Sequence, residues 1–203
     1  MSLAADILNQ LKSGAKPILP TDRDHEADFY SDAFVRDILR DCKVIAMVGA
    51  SANWNRPSYF AMKYLQQKGY RVIPVNPGQA GNKILGETVY AKLADITEKI
   101  DMVDVFRNSE AAGGLVDEAI ATGAPVFWLQ LGVINHDAAA RAEQAGMRVI
   151  MNRCPKIEYG RHSREIGWNG VNSRIISSRK PLLQKGYQAL GIRPQRDRPT
   201  GGS

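Results

Sequence analysis

The sequence predicts an α/β protein: a Rossmann-like, doubly wound, mostly parallel five-stranded sheet with helices on both faces. Three observations predict it. Apolar runs of strand length recur at 44–48, 71–75, 102–106, 126–130 and 148–151. Stretches of helical periodicity separate most of them. Gly, Pro or Asn stands where each helix must start or stop. Continuous apolar strands alternating with amphipathic helices mark a parallel sheet covered on both faces.

The elements follow in order. Residues 1–30 combine a short helical stretch (4–12) with Pro17, Pro20 and a polar segment, and read as a poorly packed N-terminal arm. A helix from about Ser31 follows, with Ser31 or Asp32 as N-cap and Phe34, Val35, Ile38 and Leu39 on one face. After the first strand, Pro57 opens a helix. Proline suits a first turn because the N–H it lacks would find no partner there. Gly69 ends that helix as a left-handed cap. In the second strand Pro74 cannot donate to a ladder, which predicts a position near the sheet edge or bonding on one side only at that point. A helical turn is expected within 90–95, then the third strand and a helix over 109–121 with Gly123 beyond its end. The fourth strand is followed by a helix from Asn135 to Gln144, stopped by Gly146, and by the fifth strand. From about Tyr159 the periodicity fades. Trp168 and Val171 could pack back on the domain, 181–190 could form a short helix, and the domain proper spans 31–160.

Apolar residues at 44% and charged residues at 24% describe an ordinary globular protein. No apolar run reaches the roughly 18 residues of a membrane span, and the N-terminus lacks the blocks of a signal peptide. Cys42 and Cys154 are the sole cysteines and no Cys/His cluster has metal-ligand spacing, so a cytoplasmic location without a structural metal is expected. The net charge of +6 is uneven. Residues 160–203 carry +7 and the remainder −1. The extension 161–203 therefore reads as basic and partly disordered, and nucleic-acid binding by it is disfavoured because no helix-turn-helix or aromatic-rich basic face accompanies it.

Right-handed crossovers bring the strand C-termini to one edge, where ligands of such sheets bind. Polar residues collect there: Gly49, Ala50, Ser51, Arg56, Pro57 and Ser58 after the first strand, and Asn76 and Pro77 after the second. Arg107 and Asn108 follow the third, Gln130, Leu131, Gly132 and Val133 the fourth, and Asn152, Arg153 and Cys154 the fifth. A strand, a loop of small residues and a helix start form a place for phosphate, because unpaired N–H groups and the helix dipole face the ligand. The loop is not a standard nicotinamide loop. Ser51 and Trp54 stand where GxGxxG requires glycines, and Asn76 stands where an acid would bond the ribose of NAD. Arg56, Arg107 and Arg153 near the edge favour a polyanion, since guanidinium groups grip phosphate bidentately.

The runs Val48-Gly49-Ala50-Ser51, Arg56-Pro57-Ser58-Tyr59, 69–77, 84–86, 101–107 and 128–133, and Asn152-Arg153-Cys154-Pro155 with Glu158, occur in one order over roughly 35–160. With them the chain resembles the small Rossmann-like CoA-binding proteins of bacteria and archaea, related to the CoA-binding domain of the succinyl-CoA synthetase α subunit. The resemblance implies CoA or an acyl-CoA as ligand. Its diphosphate would lie on Gly49, Ala50 and Ser51 and at the helix start Arg56-Pro57-Ser58, and its adenosine near Asn76 and Pro77. Arg107, Gln130, Gly132 and Val133 would line the groove. On this reading Gly49→Glu and Arg107→Ala each weaken CoA binding without unfolding the domain.

No catalytic constellation is found, which favours binding without catalysis. His25 lies in the arm, His136 in a first helical turn and His162 at the start of the tail, none with an acidic partner in a motif. Cys154, beside Arg153, reads as a small buried residue, with mixed-disulfide formation with CoA or redox sensing as the alternative. Glu158 is expected to pair with Arg153 or Arg161. Trp54 could stack on adenine or close the loop. Trp128 and Trp168 suggest a homodimer. The competing readings are an NAD(P)-dependent oxidoreductase and a nucleotide-sensing regulator.

Overall fold

A computed structural model of the protein describes residues 22–163. The expected helices at 4–12 and 181–190, Trp168 and the basic extension from 164 onward lie outside the described residues.

The central sheet has five strands, all parallel: β3 (Val44–Val48), β4 (Arg71–Val75), β7 (Met102–Val105), β8 (Val126–Leu129) and β9 (Arg148–Ile150), in the order β4-β3-β7-β8-β9. These are the predicted strands, three of them one residue shorter at the C-terminal end. The order reverses at β3, which sits between β4 and β7. The crevice beside the end of β3 is thus the topological switch point of the sheet. Pro74 lies in the edge strand, as predicted. Its carbonyl accepts a hydrogen bond from Tyr90 N–H, which partly closes that edge.

Helices cover both faces. On one lie α1 (Asp32–Asp41), α2 (Pro57–Gln67) and α5 (Pro155–His162), over Ile45, Met47, Met102, Trp128 and Ile150. On the other lie α3 (Ser109–Ala121) and α4 (His136–Gln144), over Ala46, Val103, Val105, Phe127 and Val149. Ser31, Asn108 and Asn135 cap α1, α3 and α4 by accepting backbone N–H groups of the first turn. Gly69, past α2, has φ +91°, the left-handed geometry that ends such a helix. Two antiparallel pairs of short strands, β1 (Arg23–Asp24) with β2 (Phe29–Tyr30) and β5 (Lys83–Ile84) with β6 (Glu87–Thr88), complete the described strands. The expected turn in 90–95 is a single 3-10 turn over Leu93–Asp95.

Two expectations need correction. The described part of the arm, from residue 22, is not poorly packed. Tyr30 is buried and its hydroxyl accepts Met151 N–H at 2.8 Å, while Asp28 takes Arg153 Nη1 at 2.8 and 2.9 Å. The arm lacked a helical or alternating pattern because it is held by individual polar anchors. The fading periodicity near Tyr159 conceals α5, a helix amphipathic over too few residues to register. Its buried residues are Pro155, Glu158, Tyr159 and Gly160.

Candidate functional site at the switch point

The loop after β3 is shaped by Gly49. Its φ is +85°, and a Cβ there would lie 2.3 Å from the Phe106 carbonyl oxygen and 3.3 Å from the Arg107 side chain. Glycine is therefore required for the loop to pass against the end of β7. This changes the meaning of Gly49→Glu: the substitution collides with main chain, so it tests the fold before it tests a ligand. Beyond Gly49 the loop is braced from β4. Asn76 Nδ2 donates to the Ala50 carbonyl at 2.7 Å, and its Oδ1 accepts Gly78 N–H at 3.0 Å. Asn76 is thus committed to the main chain, and Pro77 beside it is exposed.

The loop amides divide into two groups. Gly49 N–H bonds the Val75 carbonyl, Ala52 N–H the Gln79 side chain, Asn53 N–H the Ser51 hydroxyl and Asn55 N–H the Asn53 side chain. The N–H groups of Ala50, Ser51 and Ser58 have no protein acceptor among the described residues. Ser58 is the second residue of α2, where the helix dipole is positive.

Two of the three arginines serve this edge. Arg56 and Arg107 are exposed and have no acidic partner among the described residues. Arg153 is the correction: it is bound to Asp28 and lies over the Tyr30 ring, 5.4 Å from its centroid, so it anchors the arm. Glu158 pairs with Arg161 at 2.8 Å and lies 4.0 Å from Arg153.

Next to the loop opens a cavity of about 730 Å³ between the first turns of α2 and α5. Pro57, Arg107, Gln130, Val133 and Cys154, all singled out in the sequence, line it. Gly49, Ala50, Ser51, Arg56, Ser58, Asn76, Pro77 and Gly132 do not. All but Gly132 belong to the loop and its β4 brace, and Gly132, at φ +76°, donates its N–H to Asn152 Oδ1. Sequence reasoning missed the apolar lining, chiefly Phe60, Phe106 and Ile157. Phe60 and Ile157 are large apolar residues left 47% and 43% exposed on amphipathic helices, a signal visible only once the buried face is known.

Two buried acids of different strength stand near this cavity. Burial pushes the Cys154 thiol up, which disfavours its thiolate. Burial also pushes the Asp104 carboxyl up to about 7, opposed by one hydrogen bond from Gln130. Among the described residues no group of three His, Cys, Asp or Glu could hold a metal, and no helix is long and apolar enough to cross a membrane. His136 opens α4 on the surface, 3.4 Å from Glu26. Trp54 is 66% exposed, whereas Trp128 is fully buried and donates its indole N–H to the Arg153 carbonyl, so it offers no surface to a second subunit.

The family model described as "CoA binding domain" matches residues 43–160, the span from β3 through α5 that builds both loop and cavity. The chain belongs to the CoA-binding domain family. It is similar to the uncharacterized protein YneT of Bacillus subtilis, 40% identical over 129 residues, which are 64% of this chain and 94% of that protein. Among solved structures, this CoA-binding domain is similar to a protein from Thermus thermophilus at 35% identity and a TM-score of 0.63, covering 65% of this chain and 98% of that one. A hypothetical protein from Pyrococcus horikoshii is similar at 36% identity and a TM-score of 0.61, covering 70% and 95%. The matches confirm the Rossmann-like fold.

Proposed function

We propose that the chain binds CoA or an acyl-CoA without transforming it. The diphosphate lies on the Gly49–Ser51 turn and at the start of α2, and the pantetheine arm enters the cavity. The observation that carries this is the contiguity of two unlike surfaces. Main-chain N–H groups of Ala50, Ser51 and Ser58 without acceptors, flanked by Arg56 and Arg107 without acids, adjoin a cavity that is largely apolar. Oriented amides, a helix start and guanidinium groups suit a diphosphate, and a long, mostly apolar arm suits the cavity. Pro77 and the exposed Trp54 flank the outer end of the loop, where the adenosine belongs. Asn76 acts there by shaping the Ala50 turn.

Binding without catalysis is supported by the state of the cysteine in the cavity. Cys154 is buried, which raises its thiol pKa and disfavours the thiolate through which a thiol reacts. A thermal-shift comparison of CoA, acetyl-CoA, NAD and NADP tests the proposal, because a ligand that binds only the folded state raises the melting temperature. CoA and acetyl-CoA are expected to raise it and NAD and NADP are not. Equal responses to all four would refute the assignment.

A further inference from the structure

Asp104 is a carboxyl group in the middle of the sheet, fully buried in a strand otherwise made of Met102, Val103 and Val105. Its register neighbours are Met47 on β3 and Trp128 on β8. The helices packed on that face bring Phe34, Val35, Ile38 and Leu39 from α1, and Ser58, Ala61, Met62 and Leu65 from α2. From α5 come Cys154, which couples to Asp104 electrostatically, and Glu158, which is paired with Arg161. No cation neutralises Asp104 from any of these elements. An isolated buried carboxyl is costly and is retained against a steady free-energy penalty. Its one hydrogen bond comes from Gln130 Nε2, 2.8 Å from Oδ1, and Oδ2 has no partner.

That single bond has a consequence for the cavity. An ionised carboxylate accepts hydrogen bonds and donates none, so the Gln130 amide must turn its N–H group inward. Gln130 is itself buried, and it lines the cavity. Its other amide atom, Oε1, has no protein partner among the described residues.

We propose that Asp104 is a positioning residue: it fixes the Gln130 amide so that the cavity presents a carbonyl oxygen and selects a ligand group that donates a hydrogen bond. For a pantetheine arm that group is an amide N–H or the terminal thiol. The inference rests on the proposed seating of that arm in the cavity. Protonated Asp104 can instead donate to Oε1, which frees the amide to turn and removes the selectivity. The near-neutral titration expected of this carboxyl puts the change in an accessible range.

Two measurements test it. In the ligand-free protein, the Gln130 side-chain amide resonances are followed by 15N NMR from about pH 5.5 to about pH 8.5, across the expected titration. They should move with a single step in the wild type and lose that step in Asp104→Asn. Calorimetry with pantetheine, which carries no titrating phosphate in this range, should show wild-type affinity falling about tenfold from the higher pH to the lower, the loss of one charge-assisted arrangement. Asp104→Asn, whose amide can donate to Gln130 Oε1 as well as accept from its Nε2, no longer fixes the orientation and should bind more weakly than the wild type at the higher pH, with no change between the two. Gln130→Met, which keeps the volume and removes the acceptor, should do the same should Asp104→Asn not fold. S-methylpantetheine identifies the donor: weaker binding than pantetheine assigns the thiol, equal binding the amide. Either result supports selection of a donor. A Gln130 amide that does not respond to pH, or equal pantetheine affinity in wild type and variants, overturns the inference alone. Failure of both CoA and pantetheine to bind the wild type overturns the ligand proposal and this inference with it.

Discussion

Replacing Asp104 by Asn should stabilise the protein, and by more as the pH rises. The carboxyl is fully buried and is pushed up from 3.8 to about 7 in the folded state. Between those values the native state holds a proton that the unfolded chain has released, so stability falls as pH rises from the unfolded to the folded value. Above about pH 7 the folded protein carries a buried charge. At 1.36 kcal/mol per pH unit, the difference between the two values corresponds to roughly 4 kcal/mol, an upper bound because relaxation around the charge reduces it. Asparagine carries no charge and is nearly isosteric, and it can still bond Gln130. The variant should therefore exceed the wild type by about 1 kcal/mol near pH 5 and by about 2–4 kcal/mol near pH 8.5. Urea unfolding of both proteins at the two pH values measures this directly. A difference that does not change with pH, or a variant less stable at high pH, would refute the assignment of Asp104 as an unneutralised buried acid.

Other substitutions separate roles that lie close together in sequence. Gly49→Ala should cost well over the roughly 1 kcal/mol of a left-handed alanine, because its Cβ meets the Phe106 carbonyl. Gly132→Ala, with the same sign of φ and open space around it, should cost about that baseline; thermal melts compare the two. Arg56→Ala and Arg107→Ala should each weaken CoA binding by about tenfold in calorimetry, the loss of one charge-assisted contact, with no change in melting temperature. Arg153→Ala should lower the melting temperature, since it frees Asp28 and the arm. His162→Gln should flatten the acid limb of the stability profile. Burial lowers the His162 pKa to about 4, so its contribution is complete above the unfolded value near 6.5 and is lost as pH falls toward 4.

The fold was legible because its signals are local and repeated. The runs at 44–48 and 102–106 read as strands between turn and cap signals, Pro57 and Asn135 mark helix starts, and Pro74 pointed toward an edge. The course of the loop after the first strand was legible for the same reason: a strand end, small residues and a helix start are contiguous in sequence. What escaped detection depends on contacts across long separations. Arg153 looked like a phosphate ligand because its partner, Asp28, lies 125 residues away. Trp128 looked like an interface residue until the sheet order buried it. Asp104, in a four-residue strand otherwise apolar, was the one local anomaly that could have been read, since a lone acid inside a buried strand needs a partner. That partner, Gln130, stands on the same face one strand over.

A crystal structure of the protein with CoA measures the central claim most directly. The account predicts the diphosphate within hydrogen-bond distance of the Ala50, Ser51 and Ser58 amides, with Arg107 over it and the pantetheine arm in the cavity beside Gln130. A diphosphate seated elsewhere, or an arm that runs over the surface and leaves the cavity to water, would contradict it.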